Sequence, residues 1–134
     1  MKINGGCHCG FITYEAEVDP NGVAICYCTD CQTFSGSAFR VVVTAKSEDF
    51  KLLSGEPKTY IKTAESGNKR AQVFRPECGT HIYATSATNP KIFGIRASTA
   101  KQRRELIPKR QFWCRSALGW VQDLHTIPRL EQQS

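Results

Sequence analysis

Long apolar runs are missing from this 134-residue chain. The cleanest is Val41-Val42-Val43, far short of the roughly 20 residues that a membrane-spanning helix needs. The start, Met1-Lys2-Ile3-Asn4-Gly5-Gly6, has no apolar segment behind its charge, so no export signal is read and a cytosolic location is expected. Helical patterning is equally scarce: no segment keeps a 3.6-residue apolar period for three turns, which argues against a helical bundle or a coiled coil. Low-complexity tracts and solenoid-length repeats are also absent. With 40% apolar and 22% charged residues, the composition excludes a disordered tail. The length suits one domain, residues 1–134, with a single modest core.

Charge and cysteine are what the chain does have. Eighteen basic residues against twelve acidic ones leave +6 at pH 7, which favours anionic partners: nucleic acid, an acidic protein or a small carboxylate-bearing substrate. The densest cationic groups, Lys101-Gln102-Arg103-Arg104 and Lys109-Arg110, read as solvated surface. A strong nucleic-acid site would need tighter clustering, so that partner is not expected. Seven cysteines are the loudest feature. Disulfides are rare in a reducing compartment, so metal binding is the leading explanation. Six cysteines fall into close-spaced groups, and Cys114 stands apart.

Strand signals are short and frequent. Phe11 to Val18 is rich in β-branched and aromatic residues, and runs of the same character span Val23 to Tyr27, Ser37 to Thr44, Phe50 to Leu53 and Thr59 to Lys62. Others cover Ala71 to Phe74, His81 to Ala84, Ile92 to Arg96 and Gln111 to Cys114. Turn residues such as Pro20-Asn21-Gly22, Gly55-Glu56-Pro57 and Ser66-Gly67-Asn68 separate them. The expected fold is all-β: packed antiparallel sheets of short strands, with the cysteine groups at turns and little helix. One helical turn is expected at Thr29 to Phe34, a short helix at Thr99 to Leu106 ended by Pro108, and a frayed end from Glu131 to Ser134.

Cys26-Tyr27-Cys28-Thr29-Asp30-Cys31 places three thiols within six residues, close enough to converge on one tetrahedral ion. Structural zinc sites are closed by four protein ligands, whereas catalytic ones keep a position open. A substrate thiolate would suit such a position, because soft sulfur is a favoured ligand of zinc. A distant residue could instead close the site, and spacing alone leaves both readings open. The second group joins Cys7-His8-Cys9 to Cys78, far along the chain. A metal shared between them would pin the first hairpin to a later one, which is structural work.

These residues carry a resemblance. Gly5-Gly6-Cys7-His8-Cys9-Gly10, then Cys26 to Gln32 with Gly36-Ser37-Ala38-Phe39, Leu53 to Pro57, Pro76 to Thr80, and Arg115-Ser116 with Trp120 resemble the glutathione-dependent formaldehyde-activating enzyme family. That family also contains the centromere protein V domain. The similarity runs from about Gly5 to Arg129. It implies an all-β fold with two zinc sites, Cys26, Cys28 and Cys31 forming the open catalytic one and Cys7, Cys9 and Cys78 belonging to the structural one. It also implies a zinc-dependent carbon–sulfur lyase that joins glutathione and formaldehyde into S-(hydroxymethyl)glutathione, or runs the reverse. The anionic thiol partner fits the positive charge.

One position departs from the family pattern. A cysteine is expected before Pro76, and this chain has Arg75, whose guanidinium offers no lone pair. Three outcomes follow: zinc held by Cys7, Cys9 and Cys78 plus His8, His81, Glu77 or water; no zinc, with Arg75 offsetting thiolate charge; or a neutral thiol cluster. The expectation leans to loss or weakening of this metal. Cys114 is read as a buried small apolar residue, ahead of a role as fourth metal ligand. Trp113, Trp120, Phe39 and Phe93 are read as core packing ahead of a substrate wall, His8 as pointing away from the metal, and Gln32 with Ser35 and Ser37 as pocket-mouth donors or ordinary turn residues. Two other functions compete with the enzyme. One is a non-catalytic module in which zinc holds the fold and the basic surface docks a partner. The other is a methionine-sulfoxide-type redox enzyme, which would need Cys114 as a free reactive thiol.

Overall fold

β-Branched and aromatic residues extend the chain into a series of short strands, and turn residues fold these into two sheets. The structure, a computed structural model, describes residues 1–133. The strands are β1 (Lys2–Gly6), β2 (Thr13–Glu17), β3 (Val23–Cys26), β4 (Arg40–Lys46), β5 (Phe50–Ser54), β6 (Lys58–Thr63), β7 (Lys69–Phe74), β8 (His81–Ser86), β9 (Ile92–Arg96) and β10 (Arg110–Phe112). The α-helix α1 (Thr29–Ser35) lies between β3 and β4. Among the described residues, no helix is long and apolar enough to cross a membrane.

The small sheet has the order β1-β2-β5 and the large one β10-β3-β4-β9-β8-β7-β6. Every pairing is antiparallel except β10 with β3, where Arg110 to Phe112 run parallel to Ala24 to Cys26. That parallel pair is a correction to a purely antiparallel expectation. The chain returns from the β9 side alongside β3 and is fastened at both ends, with Lys109 N donating to Val23 O and Tyr27 N to Phe112 O. All nine expected runs form strands. β1 is the addition, hidden by its glycines, and pairs from Lys2 with Glu17 to Gly6 with Thr13.

The expected helix at Thr99 to Leu106 does not form. Two 3-10 turns, Ala97–Thr99 and Arg103–Glu105, stand in its place. Only Ala100 and Leu106 are buried between Thr99 and Leu106, and a lone pair of anchors gives a helix no apolar stripe to bury. α1 is longer than one turn, with seven residues, and stops at Gly36, whose φ of 63° suits glycine.

Ile3, Ile12, Tyr14 and Ala16 on the small-sheet side meet Val23, Val43, Ala45, Ile82 and Ile95 of the large sheet in the core. Phe50, Tyr83 and Phe93 extend it, with the Tyr83 and Phe93 rings stacked 4.2 Å apart. Burying each large apolar side chain contributes roughly 1.5–3 kcal/mol. Strand alternation then decides which residues face away. On β4, Val41, Val43 and Ala45 pack on the core, which sends Arg40, Val42 and Thr44 to the opposite face. A smaller cluster of Tyr27, Ala38 and Val121, with Ile25, Phe39 and Ala117, ties the C-terminal segment to β3 and to the links on either side of α1.

Phe39 and Phe93 are therefore packed as expected, but Trp113 and Trp120 are not core residues. Trp113 is 48% and Trp120 51% exposed, because the segment after β10 runs over the surface as 3-10 turns.

Candidate functional site

The end of β3 and the start of α1 build the first thiol group. Cys26 closes the strand, Cys28 is the helix N-cap, and Cys31 sits buried in the first turn. Their sulfurs all lie within 4.8 Å of one another. Cys31 N donates to Cys28 Sγ at 3.2 Å, so that sulfur caps an otherwise orphan helix donor. The Cys28 and Cys31 sulfurs are 2.8 Å apart. Hydrogen bonding from Cys31 lowers the Cys26 thiol to about 5, against a burial effect that raises it, while the same bond pushes Cys31 up. One negative charge is thus favoured on the trio, on Cys26, with Arg40 nearby.

The second group brings together Cys7, Cys9 and Cys78, again within 4.8 Å. The Cys7 and Cys9 sulfurs are 3.6 Å apart, close to the roughly 3.8 Å edge of a tetrahedron with Zn–S bonds of about 2.3 Å. Ile12 N donates to Cys7 Sγ at 3.2 Å. The later arm is a tight turn in which Gly79 N donates to Arg75 O at 2.7 Å and Arg75 N to Thr80 O at 2.8 Å. The hydrogen bond with Thr80 lowers the Cys78 thiol to about 6.

Both donor sets suit zinc, since three thiolates are the soft ligands it favours. In the first group the Cys28–Cys31 pair must open by roughly 1 Å to reach a tetrahedral edge. No histidine, carboxylate or further cysteine joins either trio among the described residues. The three candidate substitutes for the second site lie elsewhere. His8 is exposed, and its backbone N donates to Thr80 Oγ1. Glu77 is held by Arg75 Nη1 at 2.7 Å. His81 stacks on Phe74 and packs against Phe34. Arg75 itself lies with its guanidinium 4.0 Å over the Phe11 ring. Partial burial would lower it, but a hydrogen bond to Cys9 and the charges of Glu77, Cys9 and Cys7 hold it above its ordinary value.

Cavities flank the first trio. Cys28 opens on one of about 580 Å³, lined also by Asp30, Lys62, Glu65, Arg70, Trp113 and Arg115, an excess of one cation. Lys62 pairs with Asp30 of α1, and the Arg115 guanidinium lies 5.0 Å over Trp113. Trp113 thus walls a cleft rather than the core, and it holds a left-handed φ of 59° there. Cys26 opens on a second cavity of about 290 Å³. Ser35 and Ser37 line a third, of about 480 Å³, together with Arg40 and His81. Burial first, then Arg96 and Arg40, lowers the His81 imidazole.

Two further residues depart from the sequence reading. Cys114 is exposed, not buried, with its sulfur 3.7 Å from Gln111 O. Gln32 is a clamp: its Nε2 donates to Tyr27 O at 2.8 Å and to Ser116 O at 3.0 Å, tying α1 to the C-terminal segment. The sequence reading also missed Arg40, Lys62, Arg70 and Arg96. The signal was a cation within or next to a strand-like run, but only strand register brings such residues together.

Two thiol trios at the turns of a two-sheet β domain, one of them beside a cationic cleft, define a small cysteine-rich β protein with candidate metal centres. A family model described as glutathione-dependent formaldehyde-activating enzyme matches residues 2–116, and the chain belongs to that family. A crystal structure of a Rhodobacter sphaeroides protein, a structural genomics target, shares the fold. Its TM-score is 0.63 at 20% identity, covering 81% of this chain and 98% of that one.

Proposed function

We propose that this chain is a zinc-dependent carbon–sulfur lyase, reversible as a synthase, acting on the adduct of a small anionic thiol and a carbonyl compound. The family points to glutathione and formaldehyde. The observation that carries the reading is a trio of thiols, Cys26, Cys28 and Cys31, with no fourth protein donor among the described residues and with Cys28 on the wall of a cationic cleft. Zinc held by these three residues supplies Lewis acidity toward a substrate sulfur or oxygen. Arg70 and Arg115 draw an anionic thiol into the cleft, and Trp113 provides an apolar wall against which it lies.

In the joining direction the thiol sulfur bonds to the carbonyl carbon and the C=O electron pair moves to oxygen. The proton lost by the thiol ends on that oxygen. No electron is exchanged with an outside partner, so no redox cofactor is called for.

We assign one tightly held zinc per chain. The site of Cys7, Cys9 and Cys78 is weak or metal-free, because Arg75 stands where a fourth ligand is expected and no neighbouring side chain replaces it. A reducing, cytosolic setting would keep the seven cysteines as thiols.

Metal analysis and exchange kinetics test the reading together. Protein purified without added metal should carry about one zinc, and it should accelerate exchange between free glutathione, formaldehyde and their adduct, followed by magnetisation transfer. Zinc-loaded protein that leaves the exchange rate unchanged and binds no thiol would refute the enzyme, leaving a zinc-stabilised binding module.

A further inference from the structure

The face of the large sheet that points away from the core carries three arginines from three strands: Arg40 of β4, Arg70 of β7 and Arg96 of β9. Register sets Cys26 opposite Arg40 and Val42 opposite Arg96. The three side chains, with Cys26 and Phe112, line the cavity of about 290 Å³. Its floor is low because Ala84 and Gly94 are register partners. A Cβ added at Gly94 would meet only Ala84 O, at 3.7 Å.

These cations have almost nothing to pair with. None of the three makes an ion pair with a carboxylate among the described residues. Arg96 is 9% exposed, yet among the described residues its partners are only Gln72 Oε1 at 2.9 Å and Gly94 O at 3.0 Å. Gln72 Oε1 also receives Arg40 Nη1, at a marginal 3.5 Å. Arg40 Nε is buried with no partner among the described residues. Burial, followed by repulsion from Arg40, pulls Arg96 down to about 9. The neighbouring thiols do not balance the account of charge: three ionised sulfurs around one divalent ion carry a single negative charge, against three positive ones. Buried charge left uncompensated is strongly unfavourable.

We propose that Arg40, Arg70 and Arg96 form a subsite for a small oxyanion, a carboxylate or phosphoryl group, beside the Cys26 end of the thiol trio. Guanidinium forks match both groups with paired hydrogen bonds. Arg70 lines this cavity and the Cys28 cleft alike, so a ligand anchored here presents its other end to the trio from within the protein. The subsite selects acidic thiols over neutral ones. It deepens the thiol-adduct reading and rests on it only for the sulfur end of the ligand.

Calorimetric titration of the full, zinc-loaded chain separates the two ideas. The probes are acetate, inorganic phosphate, 2-mercaptoethanol and 3-mercaptopropionate. Acetate or phosphate should bind saturably, the tighter of the two identifying the preferred group. 3-Mercaptopropionate should bind at least about tenfold tighter than acetate or 2-mercaptoethanol. Arg40→Gln should weaken oxyanion binding at least about tenfold, the size expected for a charged hydrogen-bond partner. Arg70→Gln should do the same and serves if the half-buried Arg40 variant fails to fold. If neither acetate nor phosphate binds the wild type, or both variants bind them equally well, the subsite is overturned even where thiols still bind. If the oxyanions bind but sulfur adds nothing, the subsite stands and the lyase reading falls.

Discussion

Cys28 does two jobs that substitution can separate. Its sulfur accepts from Cys31 N at 3.2 Å as the cap of α1, and it belongs to the thiol trio. Serine is a good N-cap but a poor zinc ligand, whereas alanine is neither. Loss of an N-cap costs about 1 kcal/mol. Loss of a bound ion costs about 2.7 kcal/mol at free metal 100 times the dissociation constant, and about 4.1 kcal/mol at 1,000 times. For a chain of this length 1 kcal/mol moves the melting temperature by roughly 3–5 °C. In chelator, Cys28→Ser should therefore melt with the wild type and Cys28→Ala about 3–5 °C lower. In buffered zinc both variants should fall behind the wild type by at least roughly 8 °C, alanine still trailing serine. Thermal unfolding by circular dichroism of the three proteins in the two buffers reads every value. If zinc stabilises Cys28→Ser as much as the wild type, the trio is not the metal site. If alanine and serine coincide in chelator, the cap has no energetic role.

Other positions give independent tests. Arg75→Cys should raise zinc content by up to one equivalent and raise the melting temperature in zinc, because the turn around residue 75 is already closed by its backbone hydrogen bonds; two chelator-resistant equivalents in the wild type would contradict it. Gly5→Ala should cost roughly 3 kcal/mol or more, since its Cβ would fall 2.1 Å from Thr99 O and break the bridge to Ala100, while Gly119→Ala, with nothing within 4 Å, should change little in denaturant titrations. His81 binds its proton less readily folded than unfolded, so stability is full above the unfolded value near 6.5 and declines as pH falls through it toward the lower folded value. His81→Phe, which keeps the packing on Phe74 and Phe34, should flatten urea-derived stability between about pH 7 and 5.

Local pattern explains what could be read in advance. Strands such as Ile92 to Arg96 declare themselves by their own residues, and Cys26, Cys28 and Cys31 meet because only a strand end and one helical turn separate them. β1 escaped because Asn4, Gly5 and Gly6 form strands poorly, and it exists through its pairing with β2. Trp113, Trp120 and Cys114 were misplaced because apolar character permits burial without requiring it, and the segment after β10 has no sheet to press it inward. The arginine cluster was invisible for another reason. Arg40, Arg70 and Arg96 are separated by 30 and 26 positions in the chain, and the register of β4, β9, β8 and β7 alone gathers them.

The parallel seat of β10 on β3 makes the last quarter of the chain a seal. A cut between Lys101 and Lys109 would spare all six grouped cysteines and the nine preceding strands. It would also bare the backbone of β3 as an open edge, the kind of surface on which chains stack, and would remove Trp113 and Arg115 from the cleft. Such a fragment could bind zinc in full and still be both inert and prone to aggregate, so metal content alone is a poor certificate of an intact protein.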